Sequence, residues 1–334
     1  MNARRLASRL VLVLTLAALG VADAFAVRRT EDPLGLVPAD AATVAVLHWN
    51  ELRSSPLGAQ VFAQMDGMST DGDGARFLRE TGLTPSRDID TVVLAMSRRG
   101  GDATGDALVV FEGRFDLVRM GTALTSRGAT LQKGPAGAYY RLASGHGGND
   151  GAVALVNGGL LIAGSEAAVV GALGRRESGG DGGLLSGQGL GKSLGRVDRD
   201  ASAWALVDLT RLPSTTHHAA RADVESPEDG QVRAIAGAMK SVSLLALQAT
   251  VRGDAVDVSA TGLTTDAESR QLLEDSLRGV LAMWRMAIQE KSPELVAVLR
   301  AFKVESDADG VSISGTLPAS FLKSMTAHHQ ASVR

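Results

Sequence analysis

The chain has no cysteine in 334 residues. That absence excludes disulfides, thiolate nucleophiles, cysteine-ligated zinc and a lipid-bearing cysteine. A chain with a large apolar core does not need disulfides, so their absence does not argue against export. Aromatic residues make up only 4% of the sequence. Carbohydrate-stacking surfaces and single-stranded nucleic-acid platforms both need exposed rings, and this composition weighs against either. Core packing falls instead to Leu, Val, Ala and Met. Basic excess is missing as well: the formal net charge is −3, which gives the chain no electrostatic reason to seek DNA, RNA or anionic lipid.

Catalytic signatures are also sparse. No G-x-S-x-G elbow occurs. The six histidines, His48, His146, His217, His218, His328 and His329, stand in no H-E-x-x-H or other metal spacing. No cofactor motif survives inspection.

The N-terminus carries the three parts of a secretory signal peptide. Arg4, Arg5 and Arg9 precede the apolar run Leu10 to Leu19, and Ala24-Phe25-Ala26 forms an A-x-A cleavage site. The run is short for a membrane span of about twenty residues, so the expectation is cleavage after Ala26, with an uncleaved membrane-anchored form as the alternative. Loss of residues 1–26 removes three arginines and one aspartate and takes the net charge from −3 to −5. The expected location is exported, periplasmic or extracellular. Contact with membrane is expected only through an uncleaved signal segment.

The stretch from Asp106 to Leu173 reads as strand, helix, strand, hairpin, helix. Asp116 sits at a helix N-cap, Leu117, Met120 and Leu124 recur at helical spacing, and Gly128 follows as a stop. Asn157-Gly158 between two apolar runs predicts a hairpin turn. Ser165 caps a helix expected to stop at Gly174. Residues 174–199 are rich in glycine and read as a loosely packed linker.

After that segment the pattern restarts. "DASAWALVDLTRL" from Asp200 matches "DAATVAVLHWNEL" from Asp40 in order and type, 160 positions apart. Strands "VSLLALQATV" and "AVDVSATG" follow, with a turn at Gly253. Thr265 or Asp266 caps a long helix with Leu273, Leu277, Val280, Leu281 and Trp284 on one face. A hairpin is expected at Asp309-Gly310. The predicted organisation is a signal peptide (1–26), a tether (27–39), a first α+β repeat (40–173), a linker (174–199), a second repeat (200–327) and a tail (328–334). Each repeat is expected to be α+β, a mainly antiparallel sheet covered by helices with a split-βαβ core (β-α-β-β-α-β) plus a hairpin and helix.

Several motifs compete with blander explanations. Gly187 to Ser193, "GQGLGKS", looks like a phosphate loop, but Ser186 stands where the pattern needs Gly, and no strand feeds it. Residues 69–80 approximate a calcium loop through Asp71, Asp73, Gly74 and Glu80, although Ser69 replaces the first carboxylate. The alternative is a turn and a helix cap. Arg252-Gly253-Asp254 is explained by hairpin chemistry, and Ser320 to Lys323 lacks the companion motifs of serine enzymes of its spacing. Met283, Trp284 and Met286 could line an apolar groove or belong to the core.

The segments "LVPADAATVAVLHWNELRSSPLGAQV", "DALVVFEGRFDLVRM" and "AVALVNGGLLIAGSEAAVVGAL" make most of residues 36–325 resemble a loose group of uncharacterised bacterial exported proteins. The resemblance implies two α+β repeats and no catalytic residues. Two functional readings follow. One is a non-enzymatic exported protein that binds a protein partner in the cell envelope, or contributes to the envelope itself, through sheet edges and helix faces. The other is a hydrolase or small-ligand-binding protein whose site assembles from His48, Asp208 and the insert at 213–230.

Overall fold

A computed structural model describes residues 32–53, 55, 58, 72–97, 105–142, 151–211, 241–288 and 293–318. The chain divides into two compact units between Gly195 and Arg196.

The first unit holds β1 (Ala41–His48), α1 (Trp49–Arg53), α2 (Asp73–Thr81), α3 (Pro85–Asp88), β2 (Ile89–Ser97) and β3 (Asp106–Gly113). It continues with α4 (Leu117–Ser126), β4 (Thr130–Gly134), β5 (Gly137–Leu142), β6 (Gly151–Asn157), β7 (Leu160–Ser165) and α5 (Glu166–Glu177). Its strands run in the order β1-β2-β3-β7-β6-β5-β4, each neighbour antiparallel. The apolar runs of β3, β6 and β7 bury both faces of this sheet. Val109, Phe111, Val153 and Leu161 face a core completed by Trp49, Phe77, Met120 and Leu124. The intervening Leu108, Val110, Ala154 and Ile162 are buried too, and α5 packs against β3, β6 and β7.

The second unit holds β8 (Ala203–Asp208), β9 (Val242–Arg252), β10 (Ala255–Thr264), α6 (Ala267–Ile288), α7 (Pro293–Ala301), β11 (Lys303–Ser306) and β12 (Gly310–Pro318). The order β8-β9-β10-β12-β11 is again antiparallel throughout. Helices lie on one face. Gly262 sits under Leu273 of α6, and Gly315 sits under the Phe302 ring, where a Cβ would approach to 2.6 Å. Ser312, Ser314 and Thr316 alternate with Val311 and Ile313 along β12, the pattern of a sheet with one buried face.

The α+β class holds, with a different strand order inside it. A split-βαβ core places a third strand between two parallel neighbours. Here β1-β2-β3 and β8-β9-β10 are meanders, because each connection returns to the adjacent antiparallel position. The second unit follows the order of the first: three meandering strands, a helix, and a hairpin added at the third strand. Residues 130–142 form a further hairpin in the first unit, and α7 takes its place in the second.

Residues 174–199 are not a loose linker. Helix α5 runs through Gly174 to Glu177, and two 3-10 turns follow, Leu184–Ser186 and Gly189–Arg196. Leu184 and Leu190 are buried. The Leu184 amide donates to the Val37 carbonyl (2.8 Å), the Ala39 amide to the Gly182 carbonyl (3.1 Å), and Arg175 Nε to the Leu36 carbonyl (2.9 Å). The N-terminal 3-10 turn Pro33–Leu36 is buried along its length. Residues 32–39, expected as part of the tether, therefore belong to the packed first unit. A Cβ on Gly183, Gly189 or Gly191 would collide with the carbonyl oxygens of Gly35, Ala39 and Leu184 respectively. Here glycine permits close backbone packing.

Candidate functional site

The calcium-loop residues do different work in the fold. Asp71 lies outside the described residues. From Asp73 the chain is already helical, so Gly74 and Glu80 belong to α2 and do not wrap a cation. Glu80 is claimed by Arg127 of α4 in an ion pair, and Arg127 also stands over the Phe77 ring, 5.2 Å from its centroid. The hydrogen bond from the Arg127 guanidinium holds the Glu80 carboxyl below its ordinary range. The carboxylate reads as a link between α2 and α4.

His48 and Asp208 end the first strands of different units, β1 and β8. Asp208 Oδ1 accepts from the Thr210 amide (3.0 Å) and hydroxyl (2.5 Å), and its Oδ2 lies 3.1 Å from Arg211 Nε. It closes the 3-10 turn Leu209–Arg211. The insert at 213–230, with His217 and His218, lies outside the described residues, as do Ser320 to Lys323. The "GQGLGKS" segment follows the 3-10 turn Leu184–Ser186 and itself enters one, with no strand before it. Its amides do not line up on one helix N-terminus.

The remaining charged clusters tie elements together. Tyr139 Oη (2.6 Å) and Arg141 Nε and Nη2 (2.9 and 2.6 Å) all donate to Glu166 Oε1, joining β5 to the first turn of α5. That hydrogen bond to Glu166 raises the Tyr139 phenol above its ordinary value. Arg53 reaches Asp90 Oδ1 (2.6 Å) and the Ile89 carbonyl, joining α1 to β2. Among the described residues, no group of three or more His, Asp or Glu side chains could hold a metal ion.

What stands out instead is α6. Leu273 and Leu281 are buried, and Leu277 packs with Val242 and Val311. Trp284 continues that stripe at helical spacing, yet it is 53% exposed, alongside Leu272 at 55% and Met286 at 67%. Arg285 accounts for the helix's reach beyond its last buried leucine. Its Nε and Nη2 donate to the Leu299 carbonyl (3.0 and 2.9 Å) and Nη2 also to the Phe302 carbonyl (3.1 Å), which satisfies carbonyls at the C-terminus of α7. Periodicity identifies the stripe of α6. It gives no sign that the stripe outruns its cover.

No helix among the described residues is long and apolar enough to cross a membrane. No protein-family model matches the chain, and no curated protein is similar to it. Among solved structures its path is similar to that of TP0453. For crystal form III the TM-score is 0.49 at 12% identity, covering 89% of this chain and 98% of that one. For crystal form I the values are 0.44, 11%, 90% and 98%. At such scores and identity the likeness carries no argument about fold or residue roles.

Proposed function

We propose that this is an exported, non-enzymatic protein of the cell envelope, built from a duplicated α+β unit, which binds a protein partner through helix α6. The observation that carries the binding surface is the exposure of Trp284, 53% open at the end of the stripe that packs Leu273, Leu277 and Leu281 into the unit. A large apolar side chain left half-exposed where a buried stripe runs on past its cover favours an interaction surface over solvent contact, and such a Trp is a frequent anchor. Export is supported by the charged, apolar and A-x-A segments of residues 1–26. Duplication is supported by the shared strand order of the two units and by the 160-residue offset of their opening segments. Membership of the group of exported bacterial proteins rests on the three quoted segments.

The test is expression of the full chain in a bacterial host. The recovered protein should begin at Val27, by mass, in the periplasmic or extracellular fraction. Photo-crosslinking from position 280, one turn before Trp284 on the same face of α6, should give a discrete adduct that Trp284→Ser suppresses. Cytoplasmic recovery at full mass defeats the export reading, and an unchanged crosslink in the Trp284→Ser variant defeats the surface.

A further inference from the structure

We infer that β11 is the contact strand of a symmetric pair of chains, joining the second units of two copies edge to edge. Strand β11 is the last in its unit's sheet, with β12 on one side and no strand on the other among the described residues. The Asp307 amide donates to the Gly310 carbonyl (3.0 Å). Counting back along the register, Glu305 and Lys303 direct their backbone groups toward β12, and Val304 directs its amide and carbonyl outward. This edge accepts a strand in the first unit: β6, in the same place in the order, carries β5 there, antiparallel.

The side chains on the open edge select the partner. Lys303, Val304 and Glu305 read cation, apolar, anion, with both charged residues exposed. An antiparallel two-fold centred on Val304 sets each Val304 against its copy, exchanging two backbone hydrogen bonds. It also sets each Lys303 opposite the other copy's Glu305. Opposite charges directly across an antiparallel pair stabilise it, and a surface complementary to itself is what a two-fold interface requires. A lone edge lysine ordinarily discourages pairing; here the glutamate two residues on reverses that effect. Helix α6 packs over β11, so continuing the sheet also brings two long helices to neighbouring positions. That adds the area that so short an edge lacks.

Sedimentation equilibrium of the mature exported chain at low salt tests this. The wild type should show a concentration-dependent dimer that weakens as salt rises. Glu305→Lys and Lys303→Glu should each weaken association about tenfold or more, since both pairs then repel. An equal mixture of the two variants, or the doubly exchanged chain carrying both, should associate as the wild type does. Rescue on mixing separates lost pairing from lost folding. The inference is overturned if the wild type stays monomeric up to about 0.5 mM, if Glu305→Lys associates undiminished, or if neither the mixture nor the double exchange recovers.

Discussion

Gly189 adopts φ of +54° and has no room for a Cβ beside the Ala39 carbonyl. Gly195, six residues on, has nothing within 4 Å of a built Cβ and no left-handed backbone. Two glycines of one low-complexity run thus differ in consequence. Gly189→Val should lower stability by about 2 kcal/mol or more, through strain and lost docking of residues 37–39. Gly195→Ala should fall within about 0.5 kcal/mol of wild type. Urea denaturation of each variant checks the contrast, and equal effects would remove the packing explanation for the segment. The sequence shows the glycines. It cannot show which of them face a carbonyl, because their partners at 35–39 lie some 150 positions earlier.

Helix ends were the most legible feature at the scale of elements. Asp116 Oδ1 accepts from the Val118 and Arg119 amides (3.1 and 3.0 Å), Ser165 Oγ from the Ala168 amide (3.3 Å) and Asp266 Oδ1 from the Ser269 amide (2.7 Å). Gly128 follows α4 with φ of +82°, as its position predicts. Replacing the cap by Asp116→Ala should cost about 1 kcal/mol in urea denaturation, with Asp116→Asn close to wild type. Hairpin turns were less exact. The first turn lies at Gly158 and Gly159, since Asn157 pairs with Leu160 and its Oδ1 accepts from the Gly159 amide (2.8 Å). Backbone bonds from Gly113 and Phe115 to the Gly159 and Gly158 carbonyls (3.0 and 2.8 Å) fix that placement, so the neighbouring strand decides it. The turn predicted at Asp309-Gly310 forms one residue earlier, where Asp307 Oδ1 accepts from the Asp309 and Gly310 amides (both 2.8 Å).

These element-end carboxylates also set a pH dependence. Backbone donors hold Asp307 below its ordinary value, the Ser269 amide does the same for Asp266, and Arg127 for Glu80. A carboxylate depressed in the folded state contributes stability that is present above its unfolded value and lost as pH falls through its folded one. Stability should therefore hold from neutrality down to about pH 4 and decline below it. Asp307→Asn should flatten the acid limb of the urea midpoint plotted against pH. An unchanged limb would show that the turn bonds do not discriminate between the two states.

For the whole molecule, the units differ in how they cover their sheets. The first has α1, α2 and α4 on one face and α5 with the 3-10 turns on the other. The described helices of the second lie on one face only. Native-state hydrogen exchange should find the slowest amides in β3 and β7, with β11 and β12 exchanging earlier. Slower exchange in β12 than in β3 would contradict cover on both faces of the first sheet and on one face of the second.

Local chemistry determined what the sequence could settle alone: caps, stops, strand alternation and the α+β class. Those signals act over a few residues, through one side chain and the next turn's amides. Only the tertiary structure decided the meanders in place of a split core, the docking of the glycine-rich segment, the capture of Glu80 by Arg127 and the exposure of Trp284. Each depends on which distant element arrives at a face or edge, and neither periodicity nor spacing encodes that arrival.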